Sequence, residues 1–169
     1  MRIDAYFDVV SQKQFVTDYC DSFKVSEKEA LEAYEGLKKP KRATKASAGY
    51  DFYSPLDFKL EPGQTIKIPT GIRSKMPDDY VLMIYPRSGL GFKYRLQLNN
   101  TVGVIDSDYF NAKNEGHIMI KITNDSNENK TVEVKKGEGF AQGIFMMYGI
   151  TCDDDSDAER IGGFGSTTK

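Results

Sequence analysis

Apolar and polar residues alternate through Met1-Arg-Ile-Asp-Ala-Tyr-Phe-Asp-Val-Val10, which predicts a first strand. The period then changes. Behind Ser11-Gln-Lys-Gln14, a capping-box sequence, Phe15, Val16, Tyr19, Cys20 and Phe23 recur at helical spacing. A second such box, Ser26-Glu-Lys-Glu29, precedes Ala30, Leu31, Tyr34 and Leu37 on one face. Lys38 and Lys39 suit a helix C-terminus and Pro40 blocks continuation, so residues 11–39 read as a helical hairpin. From Pro40 onward, short apolar runs (Thr65–Ile68, Val81–Tyr85, His117–Thr123, Thr131–Val134) stand between turn signals such as Pro62-Gly63, Pro77-Asp-Asp79 and Asn124-Asp-Ser-Asn127. Strands at this rhythm with no helices between them predict a mainly β domain, a β-sandwich or jelly roll, carrying the hairpin near its start. The tail, from about residue 158 to Lys169, is polar and glycine-rich and reads as a flexible arm.

At 169 residues and 19.0 kDa the chain is the size of one domain and needs neither disulfide nor metal to stay folded. Twenty-three Lys and Arg against 25 Asp and Glu give a net charge of −2, which argues against a protein that grips nucleic-acid phosphates. Cys20 and Cys152 are too few for a disulfide scaffold and fit no zinc spacing. The single histidine, His117, excludes mechanisms that need two imidazoles. It is expected on the surface of its strand, and Cys20 is expected to pack. With no apolar run long enough for a membrane span and no signal peptide at its start, the chain is expected to be cytoplasmic. Its 10 Phe and 10 Tyr favour strands.

Four segments point to chemistry. In Tyr85-Pro-Arg-Ser-Gly-Leu-Gly-Phe-Lys93 a strand runs into Arg87 and Ser88, with Gly89 and Gly91 beside them. A guanidinium, a hydroxyl and accessible amides together suit a polyphosphate, although an ordinary turn has the same composition. In Asn100-Thr-Val-Gly-Val-Ile-Asp-Ser-Asp-Tyr109, Asp106 ends an apolar strand, where a carboxylate can deprotonate a water, and Tyr109 offers a flat face to a sugar or base. Gly137-Glu-Gly-Phe-Ala-Gln142 places a polar side chain in an apolar strand, and Gly162-Gly-Phe-Gly-Ser-Thr167 combines glycines with hydroxyls that can close over phosphates. Asp153–Asp157 reads as a solvated loop.

In this order the segments resemble the trimeric dUTP pyrophosphatase (dUTPase) family from Pro40 to Thr167. The motifs are Ala43-Thr-Lys-Ala-Ser-Ala-Gly-Tyr-Asp51-Phe-Tyr-Ser54, Pro86-Arg-Ser-Gly-Leu-Gly91, Gly103-Val-Ile-Asp-Ser-Asp-Tyr109, Gly137–Gln142, and Arg160 with Gly162–Thr167. The resemblance implies a jelly-roll subunit, a homotrimer with active sites shared between subunits, and Mg²⁺-dependent hydrolysis of dUTP to dUMP and pyrophosphate. It implies Asp106 as general base and Tyr109 against the deoxyribose, leaving no room for a 2′-hydroxyl. Asn100, Met119 and the backbone of Gly103, Val104 and Ile105 would line the uracil slot. Arg87, Ser88, Gly89 and Gln142 would hold the triphosphate, and Asp51 would reach the Mg²⁺ through water. Arg160, Phe164, Gly165, Ser166 and Thr167 would form a C-terminal lid.

The chain also departs from the family. Residues 11–39 are inserted after the first strand, Phe110–Glu115 is longer than the usual tight turn, Gly139 stands where a basic residue is usual, and Arg160 sits one residue closer to the Gly-Gly pair. A dCTP deaminase shares the fold but needs a glutamate where Lys121 falls, and a lysine cannot do that carboxylate's work. A second possibility is a dUTPase-like protein whose main role is regulatory, binding a protein partner through residues 11–39.

Overall fold

The structure, a computed structural model, describes residues 2–158, 160, 162 and 163. Strand β1 (Tyr6–Val9) leads into helices α1 (Gln12–Phe23) and α2 (Glu27–Glu35). Then come β2 (Lys41–Arg42), β3 (Tyr50–Tyr53), β4 (Phe58–Leu60), β5 (Thr65–Pro69), β6 (Ile72–Lys75) and β7 (Tyr80–Pro86). Helix α3 (Ser88–Tyr94) precedes β8 (Leu96–Leu98) and β9 (Gly103–Ile105), and a 3-10 turn at Ser107–Asn111 precedes β10 (Met119–Asn124), β11 (Val132–Val134) and β12 (Gly139–Met147). The strand expected to open at His117 therefore starts two residues later.

Alternation sets the layers. Along β7 the residues run buried, half-buried, buried, which turns Tyr80, Leu82 and Ile84 inward. β7 lies inside the largest sheet, ordered β2-β3-β12-β7-β9; a second sheet runs β5-β10-β8, and β1-β6 and β4-β11 form two-stranded pairs. Every pairing is antiparallel, as hairpins and returns without crossover helices require. Phe52, Leu82, Ile84 and Phe140 meet Ile68, Leu96, Ile120 and Ile122 in one apolar core between the sheets. At roughly 1.5–3 kcal/mol for each large side chain removed from water, this core dominates the stability of the sandwich.

The hairpin has its own small core of Val10, Phe15, Tyr19, Ala30 and Ala33, with Cys20 packed at its edge. Ser26 and Glu29 cap α2 reciprocally, as their spacing predicts. The first box closes only halfway. Ser11 Oγ accepts from the Gln14 amide, but the Gln14 side chain turns to Asp18 (2.7 Å), and the Ser11 amide donates instead to Glu115 Oε2 (2.7 Å). α2 also ends earlier than the lysines suggest, at Glu35 with Gly36 as its cap. Lys39 Nζ pairs with Asp8 (3.1 Å), and Lys38 lies over the Tyr53 ring.

His117 corrects the sequence reading. It is wholly buried rather than on a strand surface, because α1 covers it: the Phe15 ring lies 6.1 Å from the imidazole and Asp18 Oδ2 is 2.6 Å from Nδ1. A period-two pattern could not report a face that is covered by an element distant in sequence. No described helix is long and apolar enough to cross a membrane.

Candidate active site

The register of β12 assembles the first cleft. Gln142 pairs with Asp51 on β3 and with Tyr85 on β7, so the first and fourth motifs lie beside the strand that leads into the second. β7 stops at Pro86, Arg87 stays extended, and α3 begins at Ser88. From there Arg87 Nε approaches Asp51 Oδ1 (3.1 Å) and Nη1 donates to the Gly139 carbonyl (3.0 Å). A Cβ at position 139 would sit 2.9 Å from Arg87 Nη1, so glycine at this position makes room for the guanidinium. Gln142 Nε2 donates to the Pro86 carbonyl (3.0 Å), which fixes the strand end that aims Arg87. Ser88 and Gly89 complete a cleft of about 570 Å³, together with Ala43, Ser47 and Gly49 from the first motif. The latter three lay inside a quoted motif, but nothing in their chemistry marked them as lining residues.

The second cleft, about 310 Å³, lies between β9 and β10. Asn100, Gly103, Val104, Ile105, Asp106, Tyr109 and Met119 all line it, as do Arg160 and Gly163 from the arm. Lys121 lines it too, at the position that separates this chain from a deaminase. Asp106 follows β9 with an extended backbone and makes no side-chain cap to the 3-10 turn, leaving its carboxylate directed to other partners. Its partner is Arg160, whose Nη2 pairs with Asp106 Oδ2 while Nε holds Asp108 Oδ1 at 2.6 Å. The same guanidinium lies 5.9 Å from the centre of the Tyr109 ring, and a Cβ on Gly163 would fall 2.6 Å from that ring, so the arm rests on Tyr109. The Tyr109 hydroxyl donates to the His117 carbonyl (2.8 Å) and accepts from Asn114 Nδ2 (2.8 Å). Burial pushes the phenol up, against the opposing effect of the Asn114 bond, so it stays a protonated donor.

Among the described residues the two clefts share no lining residue. One chain thus brings Asp51, Arg87, Ser88, Gly89 and Gln142 together at one place, and Asn100, Asp106, Tyr109, Met119 and Arg160 together at another. Phe164, Gly165, Ser166 and Thr167 lie outside the described residues. Among the described residues no group of three or more His, Cys, Asp or Glu could cage a metal ion, and Asp153–Asp157 is exposed to solvent. Asp51, Glu133 and Glu138 line the first cleft without forming such a cage, a donor set that fits a hard cation held mainly by other oxygen donors.

The chain is thus an antiparallel β-sandwich with a guanidinium–carboxylate cleft and a separate aspartate–tyrosine cleft. The dUTPase family model matches residues 36–168, and the chain belongs to that family. Both helices of the hairpin precede the match. Deoxyuridine 5'-triphosphate nucleotidohydrolase of Lactococcus lactis is 42% identical over 135 residues, covering 78% of this chain and 89% of the relative. The dUTPase of Streptococcus mutans is similar in structure, with a TM-score of 0.63, 34% identity, and coverage of 86% of this chain and 97% of that one. A variant dUTPase of phage phi11 of S. aureus, described with a structural Mg(II) ion, shares the fold with a TM-score of 0.61 at 20% identity, covering 92% and 97%.

Proposed function

We propose that this protein hydrolyses dUTP to dUMP and pyrophosphate, with water attacking the α-phosphorus. The observation that carries this reading is Asp106, a carboxylate at the strand edge of a cleft whose wall is Asn100, Gly103, Tyr109 and Met119. Asp106 orients and deprotonates the water, a contribution of roughly 10²–10⁴-fold, once the arm's Arg160 leaves it for phosphate. Tyr109 packs on the deoxyribose, and the β9 backbone with Asn100 and Met119 reads the uracil edge. Arg87, Ser88, Gly89 and Gln142 hold the triphosphate, where positioning and charge neutralisation supply most of the catalysis. Asp51 would hold Mg²⁺ through water. When bound, the ion neutralises phosphate charge and orients the chain of phosphates. Phe164, Gly165, Ser166 and Thr167 are assigned to the lid that closes over the nucleotide.

Two observations support a homotrimer with shared sites. The phosphate-type and base-type clefts of one chain are separate, so a complete site needs another copy. The end of β12 and its continuation leave Met146, Met147, Tyr148 and Ile150 exposed, as is Val104 on the edge strand β9 beyond β7. A monomer would hold that apolar patch in water. The hairpin's large apolar side chains point mostly into its own core, which favours a role within the subunit over capture of a protein partner.

Pyrophosphate release measured on dUTP, UTP, dTTP and dCTP with Mg²⁺ tests the reading. Turnover confined to dUTP is expected. A well-folded protein that releases no pyrophosphate from dUTP would overturn it.

A further inference from the structure

Two of the departures from the family, the inserted hairpin and the long turn after Tyr109, are bonded to each other. Ser11, at the start of α1, donates to Glu115 twice, through its amide to Oε2 (2.7 Å) and through Oγ to Oε1 (2.6 Å). Two residues further on, the hairpin takes hold again. His117 is wholly buried, and the Gly71 amide donates to its Nε2 (2.8 Å). The ring proton therefore sits on Nδ1, which donates to Asp18 Oδ2 at 2.6 Å. Asp18 is itself held by Gln14 Nε2 one helical turn away (2.7 Å), so its rotamer is set before it meets the imidazole. The ring is fixed at both nitrogens.

The same residue presents its backbone carbonyl to the site. Tyr109 donates its hydroxyl to His117 O at 2.8 Å. The line from helix to cleft is thus Asp18 carboxylate, His117 imidazole, His117 carbonyl, Tyr109 hydroxyl. Within the longer 110–115 segment Asn114 donates to the same hydroxyl (2.8 Å), and the bond to His117 ties it in addition to a buried residue whose ring, bonded at both nitrogens, resists displacement.

We propose that Asp18, acting through His117, is a positioning residue for Tyr109 and so sets the discrimination between deoxyribo- and ribonucleotides, with Ser11–Glu115 as a second strut. This rests on the reading of Tyr109 as the residue against the sugar. The hairpin supports the longer turn: to the bond from Asn114 within the turn, this chain adds a tether that runs through His117 to α1. Discrimination against a 2′-hydroxyl depends on how closely the ring approaches the sugar, and misplacement by about 1 Å can cost on the order of 10²-fold.

The test compares Asp18→Ala, Asp18→Asn, Tyr109→Phe and the Asp18→Ala/Tyr109→Phe double variant. Each is read by the kcat/KM ratio for dUTP over UTP and by the Kd ratio of UMP over dUMP. Asp18→Ala is expected to lower both ratios about tenfold. Asp18→Asn, which keeps an acceptor for Nδ1–H, is expected to restore most of the loss. In the Tyr109→Phe background, Asp18→Ala is expected to add nothing, because the tether it acts through is gone. A purely structural Asp18 would lower the melting temperature with both ratios unchanged, and that result, or additive ratios in the double variant, would overturn the proposal. Should Asp18→Ala be insoluble, Glu115→Ala at the second strut decides in the same way. Absent hydrolysis with selective dUMP binding kept would remove the catalytic reading alone; no preference for dUMP over UMP in the unmodified protein would remove both.

Discussion

Arg87 Nε stands 3.1 Å from Asp51 Oδ1 across the register of β12, so the guanidinium is aimed into its cleft before any ligand arrives. Its other arm is spent on the Gly139 carbonyl. A lysine has one point charge and cannot make both contacts while facing a phosphate. Arg87→Lys is expected to raise KM for dUTP by about 10- to 100-fold, the equivalent of a lost charge-assisted hydrogen bond at roughly 1.5–3 kcal/mol. Steady-state pyrophosphate release over a range of dUTP concentrations checks it. An unchanged KM would move the triphosphate away from this cleft.

Asp106 offers the complementary case. Asparagine keeps the shape and the hydrogen-bonding capacity toward a sugar hydroxyl but cannot take a proton. Asp106→Asn is expected to lower kcat by about 10²–10⁴-fold. Calorimetric titration with dUMP should give nearly the affinity of the unmodified protein. Loss of binding in step with loss of rate would assign the carboxylate to binding instead of proton transfer.

The acid side of the stability curve carries a signature of Asp18. Burial raises its carboxyl, but the hydrogen bonds from His117 and Gln14 outweigh burial, and its pKa lies below the ordinary 3.8. The group therefore binds a proton less readily folded than unfolded. The stability it contributes is present above the unfolded value and is lost as pH falls through the lower, folded one. Urea midpoints measured from pH 6 to pH 3 should fall less steeply for Asp18→Asn than for the unmodified protein. Parallel curves would mean that other carboxylates set the acid limit.

Self-association can be read directly from mass. Met147 is 60% exposed beside Met146 and Tyr148 at the end of β12. Met147→Glu would place a charge in any interface formed there, and leaving it buried and unpaired is strongly unfavourable. Light scattering after size exclusion is expected to show a trimer for the unmodified chain and a smaller species for the variant, with turnover lost alongside. A variant that stays trimeric and active would place the interface elsewhere.

The hairpin's own stability rests on Phe15, which is fully buried at its centre. Phe15→Ala is expected to cost about 3–5 kcal/mol, read as a lower urea midpoint at an unchanged far-ultraviolet spectrum. A change much smaller than this would indicate that the cluster collapses around the gap.

Local rules carried far in this chain. Ser26 and Glu29 bond as their spacing requires, the alternation along Tyr80–Pro86 matches its buried face, and Arg87 and Asp106 fall where strands end. These features depend on neighbours within a few positions, and period and capping chemistry report such neighbours well. Position 139 was readable only as a departure from the family. Its meaning, room for a guanidinium arriving from β7, needed the pairing of β12.

His117 marks the limit of that reach. Its sequence neighbours describe the edge of a strand, and by alternation alone it belongs on the surface. Its burial and its tautomer come from α1 and Gly71, which lie far from it in sequence. The separation of Asp51 and Arg87 from Asp106 and Tyr109 into two clefts is of the same kind. Residue types and their order name the chemistry, because side-chain chemistry is local. Which groups share a cleft depends on strand order and register, which arise when distant segments bury their apolar faces against one another.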